Sequence, residues 1–184
     1  MKKLTLYRLE PVDHLVKPRE FSDLNEQSPA SSLVKDFRSY QPHTVYTNTS
    51  AVEVARLMAM EGVTAKLVVN KDRELVGLIT EERLYERRIL VAQTAQGVDR
   101  HELTVADMMR PRAEIPALDY ETLKYATVID LVNTLREAGE DYCLVLDRTQ
   151  HHIRGLIAVA DIAERLHQPV VVKPKSSIAR TIEL

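Results

Sequence analysis

The chain repeats itself at long range, and that repeat restricts the folds open to it more than any other feature. Gly62-Val-Thr-Ala-Lys-Leu-Val-Val-Asn70 and Leu75-Val-Gly77-Leu-Ile-Thr-Glu-Glu-Arg83 return as Gly139-Glu-Asp-Tyr-Cys-Leu-Val-Leu-Asp147 and Ile153-Arg-Gly155-Leu-Ile-Ala-Val-Ala-Asp161. Gly62 and Gly139 stand 77 residues apart and Gly77 and Gly155 stand 78 apart, the extra residue falling in the polar stretch that precedes the second glycine. Such a period exceeds the roughly 20 to 50 residues of a solenoid unit, so it describes a duplicated small domain, and duplication predicts two related clefts.

Each copy resolves into the same local grammar. In the first, Thr44 to Thr47 suits a short strand, and Ser50-Ala-Val-Glu53 reads as a capping box opening a helix whose apolar face carries Val52, Ala55, Met58 and Ala59. Gly62 supplies a left-handed C-cap. Lys66 to Asn70 and Leu75 to Thr80 are apolar runs joined by a polar turn, a hairpin signal, with Thr80 as N-cap of a charged helix from Glu81 to Gln96. The second copy repeats the helix start as Thr127-Val-Ile-Asp130, the C-cap as Gly139, and the hairpin as Tyr142 to Asp147 and Ile153 to Ala158. It departs in one place, a longer connection from Ile115 to Thr127 that holds Tyr120 and Tyr125. A third capping box, Thr104-Val-Ala-Asp107, opens a short helix that Pro111 ends, and Ser32 to Phe37 is its counterpart before the first copy. The expected organisation is an arm over 1–30, a repeat over 31–97, a second over 98–167 and a tail over 168–184. Both ends contain prolines, and Val170 to Val172 could add a strand to a sheet edge or a partner chain.

Composition limits the function classes. With 184 residues and 45% hydrophobic content the chain can bury a proper core. No apolar run approaches the about 20 residues of a membrane span, and Arg8 interrupts the run after Lys2 and Lys3 before it can form a signal peptide. The cytoplasm is the expected location, with no membrane insertion. A net charge of −2 argues against broad nucleic-acid binding. The single cysteine, Cys143, can neither staple the fold nor build a metal cage, and its apolar neighbours make it a buried strand thiol. His151-His152 lacks the spacing and carboxylates of a metal site, and no phosphate loop, nucleophile elbow or dinucleotide fingerprint is present. The expectation is a protein that is not an enzyme.

Val105-Ala-Asp-Met-Met-Arg-Pro111, an apolar strand, a capped helix, then Gly139 through Asp147 and Gly155-Leu-Ile-Ala-Val-Ala-Asp161 resemble a CBS domain, and residues from about 30 to 167 resemble a tandem pair, or Bateman module. The stretch Met109 to Asp119 further resembles the CBS pair of CorC-type magnesium and cobalt efflux proteins. The resemblance implies an α/β (α+β) fold, two CBS units of strand-helix-strand-strand-helix packed as a pseudo-two-fold pair, commonly as a homodimer. It also implies regulation through an adenosine-containing ligand, AMP, ADP, ATP or S-adenosylmethionine, with no cofactor required. The ligand-contacting positions it implies are Asp161, Ile115, Tyr142 and Cys143 in the second repeat and Thr80, Lys66, Arg83 and Val45 in the first.

The motif splits between the copies. The first keeps the hydroxyl at Thr80 but has Arg83 where the ribose-binding acid would stand; the second keeps Asp161 and has Ala158 in place of the hydroxyl. Lys66, at the start of a core strand, and Arg83 would favour an anionic group if they converged. Asp161 and Arg83 also have plain structural readings, as an acid in a first helical turn and a solvated arginine. Two functions therefore stand open. One is a stand-alone sensor of an adenosine-like or anionic ligand that signals through dimer geometry; the other is a degenerate pair acting as a dimeric interaction scaffold for an unknown protein partner.

Overall fold

The computed structural model describes residues 10–11, 24–167 and 169–171. After a 3-10 turn at Ala30–Leu33 come β1 (Lys35–Asp36), β2 (Thr44–Tyr46), α1 (Ala51–Glu61), β3 (Ala65–Val69), β4 (Leu75–Thr80), a 3-10 turn at Glu81–Leu84 and α2 (Glu86–Gln96). The second half carries α3 (Val105–Met108), β5 (Arg110–Pro111), β6 (Ala117–Asp119), α4 (Tyr120–Leu123), α5 (Val128–Ala138), β7 (Tyr142–Asp147), β8 (His152–Ala158) and α6 (Val159–Leu166). The fold is mixed α/β with the expected interleaving of strands and helices. None of the described helices is long and apolar enough to cross a membrane.

The helix punctuation follows from the named residues. Gly62, Gly97 and Gly139 close α1, α2 and α5 in the left-handed conformation, which costs a residue without Cβ least. Thr127 and Asp130 form the expected box: Thr127 N–H donates to Asp130 Oδ2 at 2.9 Å and the Asp130 amide donates back to Thr127 Oγ1 at 3.4 Å. The box at Ser50 is only half made. Its hydroxyl accepts from the Glu53 amide at 3.2 Å, while the Glu53 carboxylate turns to Arg56 at 3.0 Å. Thr80 precedes the 3-10 turn but makes no side-chain cap, and the expected helix from Glu81 breaks at Tyr85, whose backbone is extended. The long Ile115 to Thr127 connection accommodates β6 and α4. Val170 packs against the second core and the Val171 carbonyl accepts from Arg136 Nε, so 170–171 is not a strand; Val172 lies outside the described residues.

Among the described residues two four-stranded sheets result, ordered β2-β3-β4-β5 and β1-β8-β7-β6. In each, three strands come from one copy and the fourth comes from the segment that precedes the other copy. β5 pairs antiparallel with β4 and β1 with β8, so each sheet is closed at one edge by a strand that is distant in sequence. The helix starts are tied across in the same way, the Ala51 amide donating to the Leu103 carbonyl and the Val128 amide to the Ser28 carbonyl.

Strand alternation then sorts the core into layers. Val68 and Ile79 point to the helices of the first sheet, and Cys143, Val145 and Ile157 to those of the second. Leu67, Leu78 and Leu144 point the opposite way and meet one another between the sheets. Ile79 and Ile157 are fully buried, each contributing about 1.5 to 3 kcal/mol over an exposed side chain.

Candidate functional site

Between the sheets lies a cleft of about 400 Å³, within the size range of small-ligand sites. One wall is the segment from Lys35 to His43, a second is the turn from α1 into β3 at Gly62 to Leu67, and the third is Tyr142 with Leu156, Ala158, Asp161 and Glu164.

Gly155 brings the first wall in. A Cβ placed there would stand 2.6 Å from Val34 Cγ1 and 2.7 Å from the Lys35 carbonyl, so only glycine lets β1 lie this close to β8. Arg154 fastens the same strand: its guanidinium donates to Asp36 Oδ2 at 2.9 and 3.0 Å and lies 3.5 Å from the centre of the Tyr120 ring. Tyr142 opens β7 and its hydroxyl donates to Thr64 Oγ1 at 3.1 Å, which joins the second and third walls. Burial pushes the Tyr142 phenol above its ordinary value. Asp161 sits in the first turn of α6, where the helix dipole favours an acid, and its Oδ2 meets Lys35 Nζ at 2.8 Å. The cleft thus offers aromatic and apolar walls from Phe37, Tyr40, Tyr142, Leu67 and Leu156, with a carboxylate and a cation at one end.

At the pseudo-equivalent positions the charges are rearranged. By strand register Lys35 corresponds to Arg110, since Lys35 pairs with Leu156 and Arg110 with Leu78; by the repeat, Val63 corresponds to Glu140 and Asp161 to Arg83. Arg110 and Glu140 bind each other through two hydrogen bonds of 2.6 and 3.1 Å, with the Glu140 side chain 8% exposed. Arg83 donates to the carbonyls of Met108 and Met109 at 3.3 and 3.5 Å. Burial lowers its pKa, helped by the nearby Arg88 and Arg110.

Of the eight positions named from sequence, Asp161 and Tyr142 line the large cleft. Thr80 lines a neighbouring depression of about 370 Å³ together with Tyr142 and the acids Glu81, Glu82 and Asp141. Ile115 packs into the apolar layer between the sheets and does not line the large cleft. Val45 and Cys143 are corrections: both point to the helices and are buried in the two outer cores. Lys66 is a third. It is 3% exposed, shares the helix-facing side of β3 with Val68, and donates to both oxygens of Glu61 at 2.6 and 2.7 Å. Lys66 and Arg83 share no partner and do not converge on an anion. Tyr120 stacks under Arg154, and Tyr125 is 87% exposed. The sequence reading did not place Lys35, Phe37 and His43 at the site, because they precede the apolar strands and capped helix that make the repeat conspicuous.

Comparison with known proteins identifies the architecture. Residues 34–89 match the family model of the CBS domain. Comparison with curated proteins gives no match. Among solved structures the chain resembles an uncharacterized conserved protein from Pyrococcus horikoshii, at 18% identity and a TM-score of 0.59, over 82% of this chain and 100% of that one. It also resembles CBSX2 in complex with AMP, at 16% identity and a TM-score of 0.54, over 74% and 94% of the two chains. A putative signal-transduction protein with CBS domains from Burkholderia ambifaria matches at 22% identity and a TM-score of 0.53, over 72% and 89%. Residues 34–89 thus match a CBS domain, and the fold as a whole is one the chain shares with these solved structures.

Proposed function

We propose that the chain is a non-catalytic regulatory module whose Asp161 cleft binds an adenosine-containing small molecule and whose occupancy is passed on through the geometry of a cytoplasmic homodimer. The observation that carries this reading is the placement of Asp161 in the first turn of α6, paired with Lys35 at 2.8 Å at one end of an aromatic-walled cleft of about 400 Å³. A flat base can stack on such walls. A carboxylate there accepts hydrogen bonds from ribose hydroxyls, and Lys35 offers a cation to a phosphate once it is drawn from Asp161. The fold shared with an AMP-bound CBS protein supports the ligand class. The dimer is supported by α2, where Leu90 and Val91 are 54% and 64% exposed and Tyr85, just before the helix, is 60% exposed, an apolar face of the kind a second copy covers.

A thermal-shift panel of AMP, ADP, ATP and S-adenosylmethionine tests the reading. A ligand at a hundred times its Kd adds about 2.7 kcal/mol of stability, and the shift should vanish in Asp161→Ala. A flat panel would contradict the sensor and favour the exposed α2 face as a scaffold surface.

A further inference from the structure

Three linked side chains in the first half have no counterpart in the second. His43 corresponds to Pro116, because the Leu67 amide donates to the His43 carbonyl as the Leu144 amide does to that of Pro116. Glu61 corresponds to Ala138 and Lys66 to Cys143 by the 77-residue repeat. The second copy builds the same elements without these polar groups, so the fold does not require them.

Their geometry joins the helix layer to the cleft. Lys66, buried on the helix face of β3, donates to both carboxylate oxygens of Glu61, and Glu61 Oε2 lies 2.6 Å from His43 Nδ1. Glu61 occupies the last turn of α1, the unfavourable end of the helix dipole for an acid, and a buried ammonium needs an anion beside it. Lys66 and Glu61 therefore account for each other. The hydrogen bond from Lys66, and then that from His43, hold the Glu61 carboxyl below its ordinary range, so it is an acceptor and Nδ1 carries the shared proton. His43 lines the cleft, and Nε2 is the ring nitrogen left to meet an occupant.

We propose that His43 is a specificity-determining residue of the Asp161 cleft, presenting Nε2 to the phosphate of a nucleoside monophosphate, and that Glu61 and Lys66 are the positioning residues that aim it. This rests on the cleft being the ligand site. With a proton on each nitrogen, the imidazolium donates from Nδ1 to the Glu61 carboxylate and from Nε2 to a phosphate and so bridges the two anions, whereas a nucleoside gives Nε2 no anion to bind. The relay thus acts on the phosphate and leaves the base and ribose to the walls and Asp161.

Titration calorimetry of AMP and of adenosine against wild type, His43→Ala, Glu61→Gln, Lys66→Met and Asp161→Ala tests this. The expected result is a wild-type preference for AMP that falls at least tenfold in His43→Ala and falls in part in Glu61→Gln and Lys66→Met, with adenosine affinity unchanged. A purely structural relay would weaken both ligands together, leaving their ratio intact, and that outcome overturns the proposal. Binding that Asp161→Ala abolishes but His43→Ala leaves unaltered overturns this proposal alone. Failure of both AMP and adenosine to bind wild type overturns it together with the reading of the cleft.

Discussion

Glu61 stands where a carboxylate meets the negative end of α1 and is kept there by Lys66, then His43, which lower its pKa from an ordinary value of 4.5. A carboxyl depressed by folding contributes stability that is complete above its unfolded value and is lost as pH falls through the folded one. Denaturant melts should therefore show a gap between wild type and Glu61→Gln that is constant above about pH 5.5 and closes progressively in more acid solution; a gap that widens on acidification would contradict the assignment. Cys143 gives a second check. Burial pushes its thiol up to about 12, so thiol reagents at neutral pH should label it no faster than the protein unfolds. Lys66 and Cys143 also show where sequence reasoning misplaced side chains. Lys66 and Cys143 were legible as strand residues beside a cleft, but adjacent strand positions face opposite ways, so Leu67 and Tyr142 face inward and their neighbours do not.

The repeated glycines were visible in the sequence, whereas the reason for Gly77 and Gly155 lies in which strand each one meets. A Cβ at Gly155 would press on Val34 and the Lys35 backbone, and one at Gly77 on Met109 and the Arg110 backbone. Gly155→Ala should therefore lift β1 from β8, costing about 1 to 3 kcal/mol and opening the wall of the cleft, while Gly77→Ala does the same to β5. Thermal unfolding measures the cost, and a neutral Gly155→Ala would count against the close contact. The helix ends at Gly62 and Gly139 and the cap at Thr127 were legible because capping is local chemistry. The exchange of β1 and β5 between the sheets was not, since it pairs residues more than a hundred positions apart in one case and leaves no periodic trace in a two-residue strand.

Two sheets built on one pattern arrange their charges differently at equivalent positions. Asp161 faces Lys35 in one, whereas the other sets Arg83 at the acid's position and ties Arg110 to Glu140. The split of the motif was plain in the sequence; its outcome, an ion pair between Arg110 and Glu140 at the equivalent positions, depended on Glu140, which the repeat alone did not mark. Removing Glu140 leaves Arg110 without its bidentate partner, so Glu140→Ala should cost about 1.5 to 3 kcal/mol in chemical denaturation without changing ligand affinity in the Asp161 cleft. The same asymmetry predicts one ligand per chain. The most direct measurement is the stoichiometry of AMP binding by titration calorimetry, with Asp161→Ala in parallel. The account predicts one site per chain that the substitution abolishes; no binding to wild type, or equal binding to Asp161→Ala, would contradict it.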